Sequence, residues 1–481
     1  MNEWTTIDLE MWDEKILEKV RAFGLNCYPQ EFEICNHDQM LGYMAYSGMP
    51  SHYPHWSYGK AYEKLKTLYD YGVNGLPYEM VINSNPALAY LMRDNTLLLQ
   101  ILTMAHVYGH NDFFNNNFTF KTTEASHTIS RSMAHAKIIR GYIEDPSIGM
   151  KKVESILDAA HALSLQCRRN LAIKKQTREE QIADLHEQYF PKASSHPILE
   201  KRRESNNEGF LLACQKIPIV PDDDLLLFIA EHNPHLHEWQ KNIMRIVHEE
   251  AQYFIPQIET KIMNEGWASY WHKKILDSLD LPQELYLEFL VRHNQVVRPH
   301  HGGLNPYHLG FKIWEDICRR YNDPTPEEAE ELGASHPTGI EMLFQTRETD
   351  RDVSFLRRHL TENLMRELDM FAYAPKEDNL VVEAVSDKDN WKQVKATLIA
   401  GIGMNLVPVI KIYDADAEGN RTLLLAHEHE GRDLELSFAK KTLQHIYTLW
   451  GRNVMLKTIM SSKKVLLRYD TNDTKVTIDK L

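Results

Sequence analysis

Apolar residues recur at helical spacing from the start of the chain. Ile7, Met11, Ile16, Val20 and Phe23 share one face, and the run stops at Gly24. From Asn26 to about Pro54 the pattern breaks up around Pro29, Gly42, Gly48 and Pro50 and reads as loop. A helix fits residues 58–72, and 78–83 read as a short extended segment. Asn85-Pro86 then opens a long helical stretch running through Ala87–Leu102 into His106. Helical periodicity returns over about 124–187, and Pro191, Pro197, Pro218 and Pro221 punctuate an irregular stretch. Asp222-Asp223-Asp224 precedes apolar Leu225–Ala230, an acidic signal for a helix start. Long helices fit 236–255 and 258–276, parted by Pro256, and further ones fit 283–295, 308–320 and 350–370.

Near 374–378 the period changes. Residues 380–385, 407–413, 422–426, 454–459, 464–469 and 475–478 are β-rich, and amphipathic helices at about 389–400 and 434–449 interrupt them. The expected fold class is therefore α+β and multidomain. A large, mainly α-helical domain (1–375) is followed by a small α+β domain (376–481) of βαββαββ order, resembling a split βαβ sheet.

A chain of 481 residues exceeds one compact core, which agrees with more than one domain. A net charge of −14 repels phosphate backbones, so nucleic acid and anionic membrane surfaces are not expected partners. Basic clusters such as Lys201-Arg202-Arg203 sit among acidic and amide residues and read as solvated helix faces. Five widely spaced cysteines without a Cys-x-x-Cys pair argue against a disulfide framework and for a reducing compartment. With neither a secretory leader nor an 18-residue apolar run, the expected location is the cytoplasm, without membrane insertion.

Two segments carry the chemistry. His106-Val107-Tyr108-Gly109-His110 sets two imidazoles four apart, and Glu265 to His272 sets a carboxylate and an imidazole seven apart. On a helix these offsets are about 40° and 20°, so each pair shares a face. Imidazoles and carboxylates on facing helices form the donor set for zinc or iron. His106, His110, Glu265 and His272 are the expected ligands of a divalent transition metal, zinc in the first reading and iron in the second. Ile101, Leu102, Met104 and Ala105 predict burial, and Asn111 and Asp112 would orient the ligands by hydrogen bonds. In His-Glu-x-x-His peptidases the residue after the first histidine is the base. Here it is Val107, so the base falls to Glu250 or Glu249 upstream of Glu265. Arg347 and Arg351 could clamp a substrate carboxylate or phosphate, or serve instead as an ion-pair network between helices. His55 could line the pocket, while His300, His301 and His308 read as exposed loop residues.

HVYGHNDFFNNN, EEAQYFIPQIETKIMNEGWASYWH, NPYHLGFKIWEDI and FQTRETDRDVSFLRRHLT, in this order, resemble the stage V sporulation protein R (SpoVR) family. The resemblance implies a bacterial cytoplasmic protein linked to spore cortex formation. It also implies neighbours, a serine protein kinase and a von Willebrand factor A-like protein, but no catalytic residues. The residues themselves leave three readings: a metal-dependent hydrolase of amide bonds, an iron-dependent redox enzyme, or a non-catalytic regulatory or scaffold protein in a kinase-linked pathway.

Overall fold

Every residue from Leu98 to Phe114 is buried, so the helix Leu97–Asn116, which carries His106 and His110, is an interior rod. Thr96 caps its first turn by accepting the Leu99 N–H. The computed structural model describes residues 4–49, 51–71, 79–169, 174–190, 207–300, 303–376, 379–385, 390–470 and 476–480. Lys201–Arg203, His301, Pro191 and Pro197 lie outside them. The chain forms two compact units that interleave in sequence: residues 1–140 with 256–406, and residues 141–255 with 407–481. This division differs from a single linear cut near 375. The fold class is α+β, mainly helical with a small C-terminal sheet, as the pattern predicts.

In the first unit the interior rod packs against Thr6–Ala22, Lys261–Ser278 and Gln283–Val296. A three-stranded sheet of β1 (Gln30–Cys35), β2 (Glu79–Ile82) and β3 (Ala87–Met92) has the order β1-β3-β2, with β1 and β3 parallel. The helix Lys261–Ser278, which carries Glu265, lies between the rod and the helix Pro306–Asn322. Its N-terminus is held by Asp352, whose carboxylate accepts the Ile262 and Met263 N–H groups at 2.9 Å each. The approach of these helices depends on missing side chains. A Cβ on Gly266 would stand 2.3 Å from the Gly310 carbonyl carbon, and one on Gly310 would stand 2.1 Å from the Ile262 oxygen. On the other flank, a Cβ on Gly109 would come within 2.6 Å of the Ala268 Cα.

In the second unit β6 (Val409–Asp414), β7 (Leu423–Glu428), β8 (Val454–Met460), β9 (Lys463–Tyr469) and β10 (Val476–Lys480) form one sheet of order β10-β9-β8-β7-β6. Only β7 and β8 run parallel, and the helix Leu436–Trp450 connects them. That helix packs on β8 and β9 and against Met150–Leu163. The strand at 380–385 does not join this sheet; as β5 (Asn379–Val385) it pairs with β4 (Phe371–Lys376). The C-terminal sheet is thus a near-meander with one crossover rather than a split βαβ.

Four local expectations change. Ala87–Met92 is a strand, because six residues with only apolar or aromatic side chains fit a sheet interior as well as a helix. The stretch read as loop contains β1 and a helix at His37–Ala45, capped by Asn36. Pro256 lies inside the helix Glu238–Glu259, and the break comes at Thr260, whose hydroxyl donates to the Pro256 carbonyl at 2.7 Å. The helix expected at 350–370 is two, Asp352–His359 and Glu362–Glu367, because Thr361 caps a new start. Asp224 does cap the helix Leu225–His232, as the acidic run suggests.

Gly266→Ala should lower unfolding free energy by about 3 kcal/mol, since backbone rather than flexible side chain meets the new methyl. Gly141, inside the helix Thr128–Glu144, has open space around its Cβ position. Gly141→Ala should therefore be neutral or raise stability by up to about 1 kcal/mol. Urea titration of the two variants against the parent chain measures both.

Candidate metal centre

His106 and His110 lie one turn apart on the interior rod, with ring centroids 4.6 Å apart. Glu265 faces them from the neighbouring helix. Its Oε2 lies 3.7 Å from His106 Nε2 and 3.5 Å from His110 Nε2, and the three donor atoms all fall within 4.8 Å of one another. All three residues are buried. Around a tetrahedral ion with bonds of about 2.1 Å, donor atoms stand roughly 3.4 Å apart. The two carboxylate–imidazole spacings are close to that figure and longer than an ordinary N–H···O bond. Glu265 Oε2 is buried and accepts no hydrogen bond of normal geometry. Two imidazoles and a carboxylate with this spacing could hold a metal ion.

The surroundings fix each donor. His110 Nδ1 donates to Asn264 Oδ1 at 2.8 Å, which sets the ring with Nε2 toward Glu265. Burial lowers the His110 pKa, but the hydrogen bond and charge of Glu265, then Asn264, raise it overall. Lys261 Nζ binds Glu265 Oε1 at 2.5 Å, leaving Oε2 as the oxygen that faces the imidazoles. Burial alone would raise the Glu265 carboxyl. The Lys261 charge, with His106 and His110, outweighs it and holds the group well below the usual carboxylate range. Tyr307 sits beside Glu265 and stacks near His106, with ring centroids 6.2 Å apart. The Glu265 charge, then burial and Glu79, push its phenol strongly up, so it remains a proton donor.

The structure brings together His106, His110 and Glu265 and sets His272 behind them. His272 Nδ1 contacts His106 Nδ1 at 2.9 Å, and its Nε2 contacts His293 Nδ1 at 2.8 Å, so neither nitrogen points at Glu265. Burial, then His106 and His293, push the His272 pKa well down. Burial, then Lys273, lowers His293 to about 4. The second carboxylate at the site is Glu79, at the start of β2, with Oε1 4.0 Å from His106 Nε2. Burial raises its carboxyl against the pull of the histidines. Glu249 is exposed and Glu250 half-buried on the helix Glu238–Glu259, in the part of it that belongs to the second unit.

The other expected site residues have structural partners. Arg347 is buried, and its Nη1 meets both Asp112 oxygens at 2.7 and 2.8 Å. Trp267 Nε1 donates to the same carboxylate at 2.8 Å, and so does the Asn26 N–H. Asp112 therefore ties the rod to the Glu265 helix two residues beyond Glu265. Asn111 instead binds the Tyr28 backbone on both sides and Gln30. Arg351 Nη1 pairs with Glu259 at 2.7 Å. Of the two arginine readings, an ion-pair network matches these contacts. His55 is the N-cap of Trp56–Asp70, with Nδ1 2.7 Å from the Ser57 hydroxyl. His308 Nδ1 donates to the Val297 carbonyl at 2.7 Å. Glu79, Lys261, Asn264, His293 and Tyr307 were not foreseen. Lys261 alone left a signal, its place four residues before Glu265.

Fold and site together define a mainly helical α+β protein built around a buried two-histidine, one-glutamate cluster. The chain belongs to the SpoVR family: the model "SpoVR like protein" matches residues 3–407, and "SpoVR-like C-terminal domain" matches 408–461. A relative, "Uncharacterized protein YcgB" of Escherichia coli (strain K12), is 33% identical over 483 aligned positions, covering 95% of this chain and 92% of its own. No solved structure matches. Among the described residues no helix is long and apolar enough to cross a membrane.

Arg347→Met should lower stability by about 3–5 kcal/mol, because it strands the buried Asp112 carboxylate. Urea unfolding followed by circular dichroism measures it, and a loss below about 1 kcal/mol would show that Arg347 is not structural.

Proposed function

We propose that the chain is a metal-dependent hydrolase of amide-type bonds, with His106, His110 and Glu265 as the ligands of a divalent transition metal, zinc in the first instance. One observation carries the reading. A buried carboxylate oxygen with no hydrogen bond of normal geometry lies 3.5 and 3.7 Å from two imidazole nitrogens. When bound, such a metal supplies Lewis acidity toward a carbonyl and lowers the pKa of water. Lys261 keeps Glu265 oriented through Oε1. Glu79, beside His106, is the carboxylate positioned to take a proton from attacking water. Tyr307 is the neutral donor available to a developing oxyanion. Glu249 and Glu250, on a helix of the second unit, are the weaker candidates for the base. A role in spore cortex formation would supply amide-bonded wall precursors as substrates.

Glu79 also favours a second reading. Two carboxylates and two imidazoles form a donor set suited to iron and to redox chemistry. A kinase-linked regulatory role would need no metal at all, and the same measurement separates it from both.

Protein purified without chelator should carry close to one equivalent of zinc or iron, and Glu265→Gln should carry below about 0.2. Elemental analysis of both reads this, and an absorption band in the parent chain would select iron. Less than about 0.2 equivalents of any transition metal in the parent chain would sink the metal-dependent readings.

A further inference from the structure

Three imidazoles from three helices stand in line behind the candidate ligands. His106 Nδ1 lies 2.9 Å from His272 Nδ1, and His272 Nε2 lies 2.8 Å from His293 Nδ1. They come from Leu97–Asn116, Lys261–Ser278 and Gln283–Val296, and all three are buried. The His293 ring packs between Phe289 and Phe311, at centroid distances of 5.9 and 5.2 Å. A contact this short between two ring nitrogens needs one proton between them, given by one ring and accepted by the other.

With neutral rings, only two arrangements satisfy both contacts. In the first, the protons sit on His106 Nδ1, His272 Nε2 and His293 Nε2, and His106 presents a bare Nε2 toward Glu265. In the second, they sit on His106 Nε2, His272 Nδ1 and His293 Nδ1, and His106 Nε2–H faces Glu265 and Glu79. Only the first leaves His106 able to ligate a cation.

We propose that the metal-free site stands in the second arrangement, with His106 Nε2–H facing Glu265 and Glu79, and that filling it with a divalent metal reverses the whole line. His272 and His293 then act as positioning residues that hold His106 in its ligating tautomer, and His293 reports occupancy. The proposal rests on the reading of the site given above. Protons balance without any ring changing charge. One leaves His106 Nε2 for solvent, one crosses each nitrogen–nitrogen contact toward His106, and one is taken up at His293 Nε2. His272 is thereby a relay of orientation, not a ligand.

The test is zinc titration of the full chain, parent and variants, with nitrogen NMR of histidine-labelled protein. Zinc should move the His293 Nε2 resonance from the bare to the protonated range, with the signal assigned by its loss in His293→Gln. His293→Phe cannot accept from His272 and should bind zinc about 10–100-fold more weakly. His293→Gln offers an amide oxygen and should stay within about threefold of the parent. A folded His293→Phe with parental zinc affinity overturns the proposal. So do His293 resonances that saturating zinc leaves unmoved, a measurement that stands even if the phenylalanine variant fails to fold. A parent chain that takes up no transition metal removes the site reading itself, and this proposal with it. A parent chain that binds zinc with the line unmoved removes the proposal alone.

Discussion

At the crossing of Gly266 and Gly310 there is no room for one more carbon atom. A metal site asks its donors to converge to within about half an ångström, and backbone position sets that tolerance before any side-chain rotamer does. Here the Glu265 helix is pressed between two neighbours, with glycine at both contacts: Gly266 on Gly310 on one flank, and Gly109 against Ala268 on the other. Gly109 lies between the two candidate histidines in sequence, and Gly266 follows the candidate glutamate. The residues that permit close approach are thus interleaved with those that would use it. Asp112 completes the clamp by joining Arg347, Trp267 and the Asn26 backbone at one buried carboxylate.

Burying Glu265 carries an electrostatic cost that its neighbours must offset. Lys261 offsets part of it, though its side chain is 59% exposed and screened by solvent. The rest falls to two imidazoles at distances too long for strong hydrogen bonds. A structural cluster could have shortened those contacts by rotating either ring. Asn264 prevents that for His110 and His272 prevents it for His106. The rings are therefore held slightly back from the carboxylate, which is the arrangement a cation between them requires.

The part of the site legible in the sequence was the part fixed by local geometry. Residues 106 and 110 rise about 6 Å along a helix, within reach of one point. Residues 265 and 272 also share a face, yet seven residues rise about 10 Å, so a common face did not mean a common ligand. That axial offset puts His272 behind His106 rather than beside Glu265. Glu79 was illegible because its nearness to His106 comes from the pairing of β2 with β3, and β3 itself read as helix. Arg347 read equally well as a substrate clamp or a helix tie, and only the position of Asp112, over 230 residues away in sequence, separates the two. The C-terminal strands were legible because their alternation and turns are local. Their order in the sheet was not, since β5 differs little in composition from its successors and still pairs elsewhere.

The C-terminal segment that a separate family model recognises is bonded to residues far outside it in sequence. Ile412 of β6 exchanges both backbone hydrogen bonds with Asp222, at 2.7 and 3.1 Å. Arg169 donates to the Val407 and Pro408 carbonyls, and Asn233 donates to the Leu449 and Trp450 carbonyls. The helix Leu436–Trp450 lays its buried face, Leu443, Ile446 and Leu449 among it, in contact with Met150–Leu163. Cut away from residues 141–255, the sheet would expose that apolar helix face, and β6, still paired with β7, would lose its bridge to Asp222 on the other edge. A sequence family can end where its pattern changes, but a folding unit ends where its buried backbone groups are satisfied. In this chain the two borders agree near 407 and part company at 141, where the pattern stays helical while the packing changes partners.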